Sequence, residues 1–184
     1  MADQATATLN APLAGLRGGS PAAILTPAGP ASRISLRAAP DAVSPVSAAI
    51  GVTLPTRPKT SASTGKRHAL WLGPDEWLVI DEDGADLMAA AASTGVLHSA
   101  VDISHRNTAV IVNGPGAEVA INSGCPQDLS LGIFPVGACS RTIFGKVEIV
   151  LFRTAEDTFR VECWRSFSPY VFGLLSEGAE DAGH

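Results

Sequence analysis

No apolar run in this 184-residue sequence approaches the roughly 20 residues a bilayer-spanning helix needs. The opening stretch, MADQATATLNAPLAGLRGG, has neither a basic leader nor an apolar core, so a secretory signal is not predicted and a cytoplasmic location is expected. Cysteine is scarce. Cys125, Cys139 and Cys163 are odd in number, widely spaced and form no C-x-x-C pair, which argues against a disulfide framework and for buried free thiols. Basic clusters are missing too. The densest is Lys66-Arg67, in a chain of net charge −5. A phosphate backbone demands several convergent cations, so nucleic acid is not an expected partner.

Catalytic patterns are equally thin. The stretch VDISHRN sets Asp102, Ser104 and His105 close together, the residue types of a nucleophilic triad. In an extended chain, however, neighbouring side chains point to opposite faces, which parts Ser104 from His105. There is no G-x-S-x-G elbow either. Asp102 is expected to tie down a neighbouring loop, pairing with Arg106 or Arg165. NGPGAEVAINSG stands where a phosphate loop would stand, but Val119 occupies the third glycine position and Pro115 lacks an N–H. His68, His98, His105 and His184 are scattered, and none has a second histidine or cysteine at ligand spacing. The carboxylate pairs Asp75-Glu76, Asp81-Glu82 and Glu156-Asp157 all fall in or beside predicted turns, where solvation is their ordinary fate. No catalytic, cofactor-binding or metal-binding residue is therefore predicted.

What the sequence does contain is a core. Hydrophobic residues make up 46% and charged residues 17%. Residues 1–30, rich in Ala, Gly, Pro and Thr, read as a flexible arm, and residues 179–184 as a flexible tail. Between them, residues 31–178 form one domain. Ile34 and Leu36 alternate with Arg33, Ser35 and Arg37, the mark of a half-buried strand. Ser44-Pro45 reads as a helix start and Gly51 as its stop. TRPKTSASTGKR, residues 56–67, reads as an exposed loop. Ala69–Leu72 and Glu76–Ile80 flank Gly73-Pro74-Asp75 as a hairpin, and a helix over GADLMAAAASTG follows. The order then recurs: a strand at Thr108–Val112, a helix over GAEVAINS, and a hairpin of Val147–Phe152 with Thr158–Cys163. A last helix has Ser168 as candidate N-cap, with Phe167, Tyr170, Val171, Leu174 and Leu175 on one apolar face. The chain thus reads as two pseudo-repeats of strand-helix-hairpin-helix, roughly 70 to 85 residues apart. VLHSAVDIS would join them. Neither copy buries a core alone, so the predicted class is α+β, with helices on a mostly antiparallel sheet.

The aromatic residues supply the best functional candidates. Trp71 and Trp77 bracket the first hairpin, where core burial is the plain expectation. Trp164, Arg165 and Tyr170 stand near the second. Tryptophan, tyrosine and arginine are also favoured at interface centres. With Asp102 and Arg106, these residues are the candidates for interface or structural roles.

The segments LWLGPDEWLVI, VDISHRNTAVIVNGPGAEV, CPQDLS, FPVGACSRTIFGKVEIVL and FRVECWRSFSPYVFGLL, taken in order, resemble the gamma subunit of heterotetrameric sarcosine oxidase. The resemblance runs from about Ile34 to Leu175. It implies a small subunit with alpha, beta and delta partners, in a complex that converts sarcosine, oxygen and water to glycine, formaldehyde and hydrogen peroxide. With tetrahydrofolate present, the one-carbon unit leaves as methylene-tetrahydrofolate. The implied FAD, FMN and NAD belong to the alpha and beta subunits and zinc to delta, and none is expected on this chain. The implied fold resembles the folate-binding domain of aminomethyltransferases. The Gly-Gly-Ile-x-Asp-Asp stretch of those enzymes is absent, as is the Lys-Gly-Cys-x-x-Gly-Gln segment of folate-dependent iron–sulfur repair proteins. A non-catalytic assembly role is the first expectation. A stand-alone folate-binding one-carbon transferase or sensor is the alternative.

Overall fold

Two antiparallel sheets, packed face to face and covered by helices on their outer sides, build the molecule. A computed structural model describes residues 12–184. The strands are β1 (Gly18–Gly19), β2 (Ile24–Pro27), β3 (Ser32–Ala38), β4 (Ser61–Thr64), β5 (Arg67–Gly73), β6 (Glu76–Asp81), β7 (His98–Asp102), β8 (Asn107–Asn113), β9 (Cys139–Phe144), β10 (Val147–Ala155) and β11 (Thr158–Trp164). The helices are α1 (Val43–Ile50), α2 (Leu87–Ala92), α3 (Ala117–Asn122) and α4 (Ser168–Asp181). One sheet runs β4-β5-β6-β3-β7 and the other β1-β2-β8-β11-β10-β9.

Strand alternation creates three apolar layers. Leu36, Ala69, Trp77 and Val79 of the first sheet pack under α1 and α2 with Val46, Ile50 and Leu87. Val110, Ile149, Leu151 and Val161 of the second sheet pack under α3 and α4 with Ile121, Val171 and Leu175. The opposite faces meet in a thinner middle layer, where Leu70, Leu78 and Ile80 lie against Cys139, Val150 and Phe152. Burial pushes the thiols of Cys139 and Cys163 up to about 12, leaving them un-ionised at neutral pH.

The two pseudo-repeats are present. β3-α1-β4-β5-β6-α2 answers to β8-α3-β9-β10-β11-α4. VLHSAVDIS joins them by exchange: β7, which precedes the second unit, pairs with β3 of the first, while β2, which precedes the first unit, pairs with β8 of the second.

Several local expectations need correction. Of the arm predicted over residues 1–30, residues 1–11 lie outside the described residues, while Ile24–Pro27 is built into the second sheet. Apolar Leu25, alternating with exposed Ile24, directs that strand. Within the loop expected at 56–67, Ser61–Thr64 forms an edge strand against β5. Cys139–Phe144 is a further strand that periodicity did not mark. Helix α1 begins at Val43 after Ala42, one residue before the proposed Ser44 cap; Gly51 does end it, in the left-handed conformation with φ 69°. Ser168 starts α4 but gives its hydroxyl to the carbonyl of Arg165. The buried face of α4 is Val171, Phe172, Leu175, Gly178 and Ala179, rotated from the predicted stripe, so Phe167 and Tyr170 face outward. The helix runs to Asp181 and buries Ala179, which carries it into the predicted tail at 179–184.

Between the sheets sits a seam of buried charged residues. Arg33 of β3 and Arg160 of β11 each donate through Nε, at 2.8 Å, to a different oxygen of Glu162. All three residues are buried. Arg160 reaches on to Glu82, at the end of β6, so the cluster of two arginines and two carboxylates is neutral and spans both sheets.

His68 lies beside this seam, its ring 5.3 Å from that of Phe152. Burial, with some help from the Arg160 charge and against the pull of Glu82, lowers its pKa below 6.5. The unfolded chain therefore binds more protons than the folded one between that lowered value and about 6.5. Stability should rise with pH through this window and level off on either side of it, where both states carry the same charge on His68. Urea midpoints taken from pH 5 to 8 should show this slope in the native chain, flattened in His68→Asn; equal slopes would disprove the assignment.

Candidate interaction surface

Among the described residues, the exposed aromatic side chains Trp164, Phe167 and Tyr170 fall at the end of β11 and the start of α4. Trp164 ends β11 on the same strand face as Arg160 and Glu162, and 40% of it stays exposed. The chain then tightens into a 3-10 turn, Arg165–Phe167, which brings the Phe167 ring against Trp164 at 5.8 Å and 22°. Arg106 covers Trp164, its guanidinium carbon 4.9 Å from the ring centroid. Backbone ties fix the pair: the Arg165 N–H donates to the Arg106 carbonyl at 2.7 Å. Tyr170, in the first turn of α4, lies over the β9–β10 turn, where a side chain at Gly145 would collide with its hydroxyl. The result is a preformed aromatic–arginine surface with little side-chain freedom left to lose on binding.

Charged residues border it. Glu76, at the tip of the β5–β6 hairpin, accepts from Arg37 at 3.0 Å and also pairs with Arg141 of β9. The Arg141 hydrogen bond, opposed by partial burial, holds the Glu76 carboxyl below the usual carboxylate range. Behind Trp164 a cavity of about 70 Å³ reaches between the sheets, lined by Asn107, Arg141, Glu148 and Glu162 among others. The Asn107 Oδ1 is buried without a hydrogen-bond partner among the described residues. This volume suits a few waters; small-molecule sites run to about 300 Å³ or more.

The sequence candidates thus divide. Arg106 packs on Trp164 and Arg165 is tied to Arg106 through the backbone, while Tyr170 lies at the β9–β10 turn. Trp77 lies apart: it is 0% exposed, and its Nε1 donates to the Pro55 carbonyl at 2.7 Å. Trp71 is half-buried and packs on the core under α1 and α2. Asp102 is bonded to Ser104. Its Oδ1 accepts from the Ser104 N–H at 2.8 Å and from the Ser104 hydroxyl at 2.6 Å. Those bonds lower its pKa against a small opposing effect of burial. The same hydroxyl receives the Arg33 N–H at 2.8 Å, so Ser104 is occupied and no triad forms. Phe167, read from sequence as part of a buried stripe, belongs to the exposed surface. The seam residues Arg33, Arg160 and Glu162 were missed; opposite charges two apart in an apolar strand, RVE, were the available signal. Among the described residues, no group of three or more His, Cys, Asp or Glu is placed to hold a metal ion. No helix among them is long and apolar enough to cross a membrane.

Comparison with known proteins adds identity to this geometry. The model of the sarcosine oxidase, gamma subunit family matches residues 36–181. Sarcosine oxidase subunit gamma of an Arthrobacter species is 31% identical over 136 residues, covering 71% of this chain and 67% of that protein. The subunit of the same name from Corynebacterium sp. strain P-1 is 30% identical over 156 residues, covering 82% and 77%. Among solved structures, a chain of heterotetrameric sarcosine oxidase from Corynebacterium sp. U-96 superposes with a TM-score of 0.83 at 26% identity, over 90% of this chain and 88% of that one. Aminomethyltransferase T of the glycine cleavage system from Bartonella henselae superposes with a TM-score of 0.59 at 15% identity, over 82% of this chain and 44% of that one, a likeness of fold.

Proposed function

This chain belongs to the sarcosine oxidase gamma subunit family, and from that premise we propose that it is a non-catalytic subunit of a heterotetrameric sarcosine oxidase, ordering its larger partners by surface contact. The observation that carries the reading is the family match, which runs from within β3 to the end of α4 and so takes in both pseudo-repeats. The aromatic–arginine surface around Trp164 is the contact region. In this reading the alpha, beta and delta subunits are the partners, and the complex acts in the cytoplasm. It oxidises sarcosine to glycine, releasing formaldehyde and hydrogen peroxide, or methylene-tetrahydrofolate when tetrahydrofolate is present. FAD, FMN, NAD and zinc reside on those other subunits.

Co-expression of the tagged chain with the alpha, beta and delta subunits tests this. The tagged chain should bring down the other three with visible flavin absorbance, and alone it should consume no oxygen with sarcosine. Trp164→Ala should weaken recovery of the complex at least tenfold, on the scale of an interface hot spot, while leaving the melting temperature of the isolated chain nearly unchanged. Turnover of sarcosine by the chain alone would overturn the proposal.

A further inference from the structure

Asn113 is followed by glycine, alone among the four asparagines of the chain. That order carries a chemistry of its own. The backbone nitrogen of the following residue attacks the asparagine carboxamide, and glycine, with no Cβ, obstructs the attack least. Gly114 has no ready substitute. Its φ is +135°, and a Cβ there would lie 2.3 Å from the Ala22 carbonyl oxygen, which already accepts the Gly116 N–H at 2.8 Å. The labile pair is therefore built into the end of β8, with Asn113 exposed to water.

Both reacting groups are held, and from one place. The Asn113 Nδ2 donates to the Thr158 hydroxyl at 2.7 Å, which draws the carboxamide across toward β11. The Gly114 N–H donates to the Asp157 carbonyl at 3.0 Å, which occupies the nitrogen that would attack. Asp157 lies in the exposed two-residue turn between β10 and β11, and Thr158 opens β11. Local opening of an exposed turn takes less free energy than unfolding the domain. We propose that Asn113 is a deamidation site guarded by the β10–β11 turn. When the turn opens, the Gly114 nitrogen bonds to the Asn113 Cγ, the Cγ–Nδ2 bond breaks, and ammonia leaves with the amide proton. Water then opens the cyclic imide to aspartate or isoaspartate, either of which adds a negative charge. Isoaspartate also lengthens the backbone by a carbon. Asn113 pairs with Ile24 of β2 on one side and Thr158 of β11 on the other, so the lengthening falls where three strands meet and loosens β2 from β8.

The test incubates the full chain at 37 °C and pH 8 and follows Asn113 by peptide mass spectrometry. Conversion in the folded chain should be about tenfold or more slower than in guanidinium chloride, the combined effect of two hydrogen bonds. Thr158→Val keeps the side-chain shape but frees the carboxamide. It should speed conversion of the folded chain about two- to tenfold, the range of one ordinary hydrogen bond, and leave the rate in guanidinium unchanged. Thr158→Ser, which returns the hydroxyl, should restore the slow rate. In the isoaspartate form, the amides of residues 24–28 should exchange with deuterium faster than in the unmodified chain. No conversion at Asn113 even in guanidinium would overturn the site. Equal rates in folded and unfolded chains, or an unchanged rate in Thr158→Val, would overturn the guard. Unaltered exchange at residues 24–28 would overturn the loosening of β2.

Discussion

Glu162→Gln should cost about 3–5 kcal/mol of folding free energy, the loss expected when one member of a buried ion cluster is removed. Glutamine keeps the shape but not the charge. Arg33 and Arg160, both buried, would then face each other across a neutral amide, with only the half-exposed Glu82 to offset them. A urea titration followed by tryptophan fluorescence or circular dichroism measures the loss. A change below about 1 kcal/mol, the net value of an ordinary neutral hydrogen bond, would show that the seam is not charged in the folded state. The companion experiment removes the whole cluster: Arg33→Met, Glu162→Leu and Arg160→Met together should recover most of the loss, since an apolar replacement of a buried ion cluster is commonly neutral or stabilising.

Trp77→Ala should cost a similar amount, about 3–5 kcal/mol, for a different reason. The ring is fully buried beneath α1 and α2, in the cluster with Leu36, Val46, Ile50 and Leu87, and neither short helix can close the hole by itself. Trp77→Phe separates the two contributions. It keeps most of the apolar volume but leaves the Pro55 carbonyl without its donor, a loss of about 1–3 kcal/mol. If the two variants were equally destabilised, the indole hydrogen bond would outweigh the packing. If phenylalanine were neutral, the Pro55 carbonyl would have another partner.

How much of this was legible follows from what each signal measures. The repeat was legible because apolar periodicity marks strands and helices that bury one face, as with Ile34 and Leu36 of β3. Ser61–Thr64 was not, because an edge strand whose inner residues are Ser and Ala has no apolar alternation to show. Ile24–Pro27 was hidden by its Ala-, Gly- and Pro-rich neighbours. The seam was missed for a deeper reason. A solvated face and a buried, salt-bridged face produce the same alternation of apolar and charged residues, and only the packing of one sheet on another tells them apart. For the proposed contact surface, Trp164, Arg165 and Tyr170 were chosen by residue type, whereas the Trp164–Phe167 stack depends on a 3-10 turn that no sequence period marks. The face-alternation argument for Asp102, Ser104 and His105 assumed an extended strand, whereas the backbone turns at Ser104.

The pairing of β2 with β8, and of β7 with β3, has a consequence for how the molecule is made. During synthesis the first sheet waits, its β3 side open, until His98–Asp102 has left the ribosome, while the finished Ile24–Pro27 segment waits for a neighbour that does not yet exist. Each half therefore carries a piece that only its sibling can use. Cutting the gene near Gly95 would yield two fragments, each missing an edge and each holding the other's, which should stay incomplete apart and reconstitute when mixed.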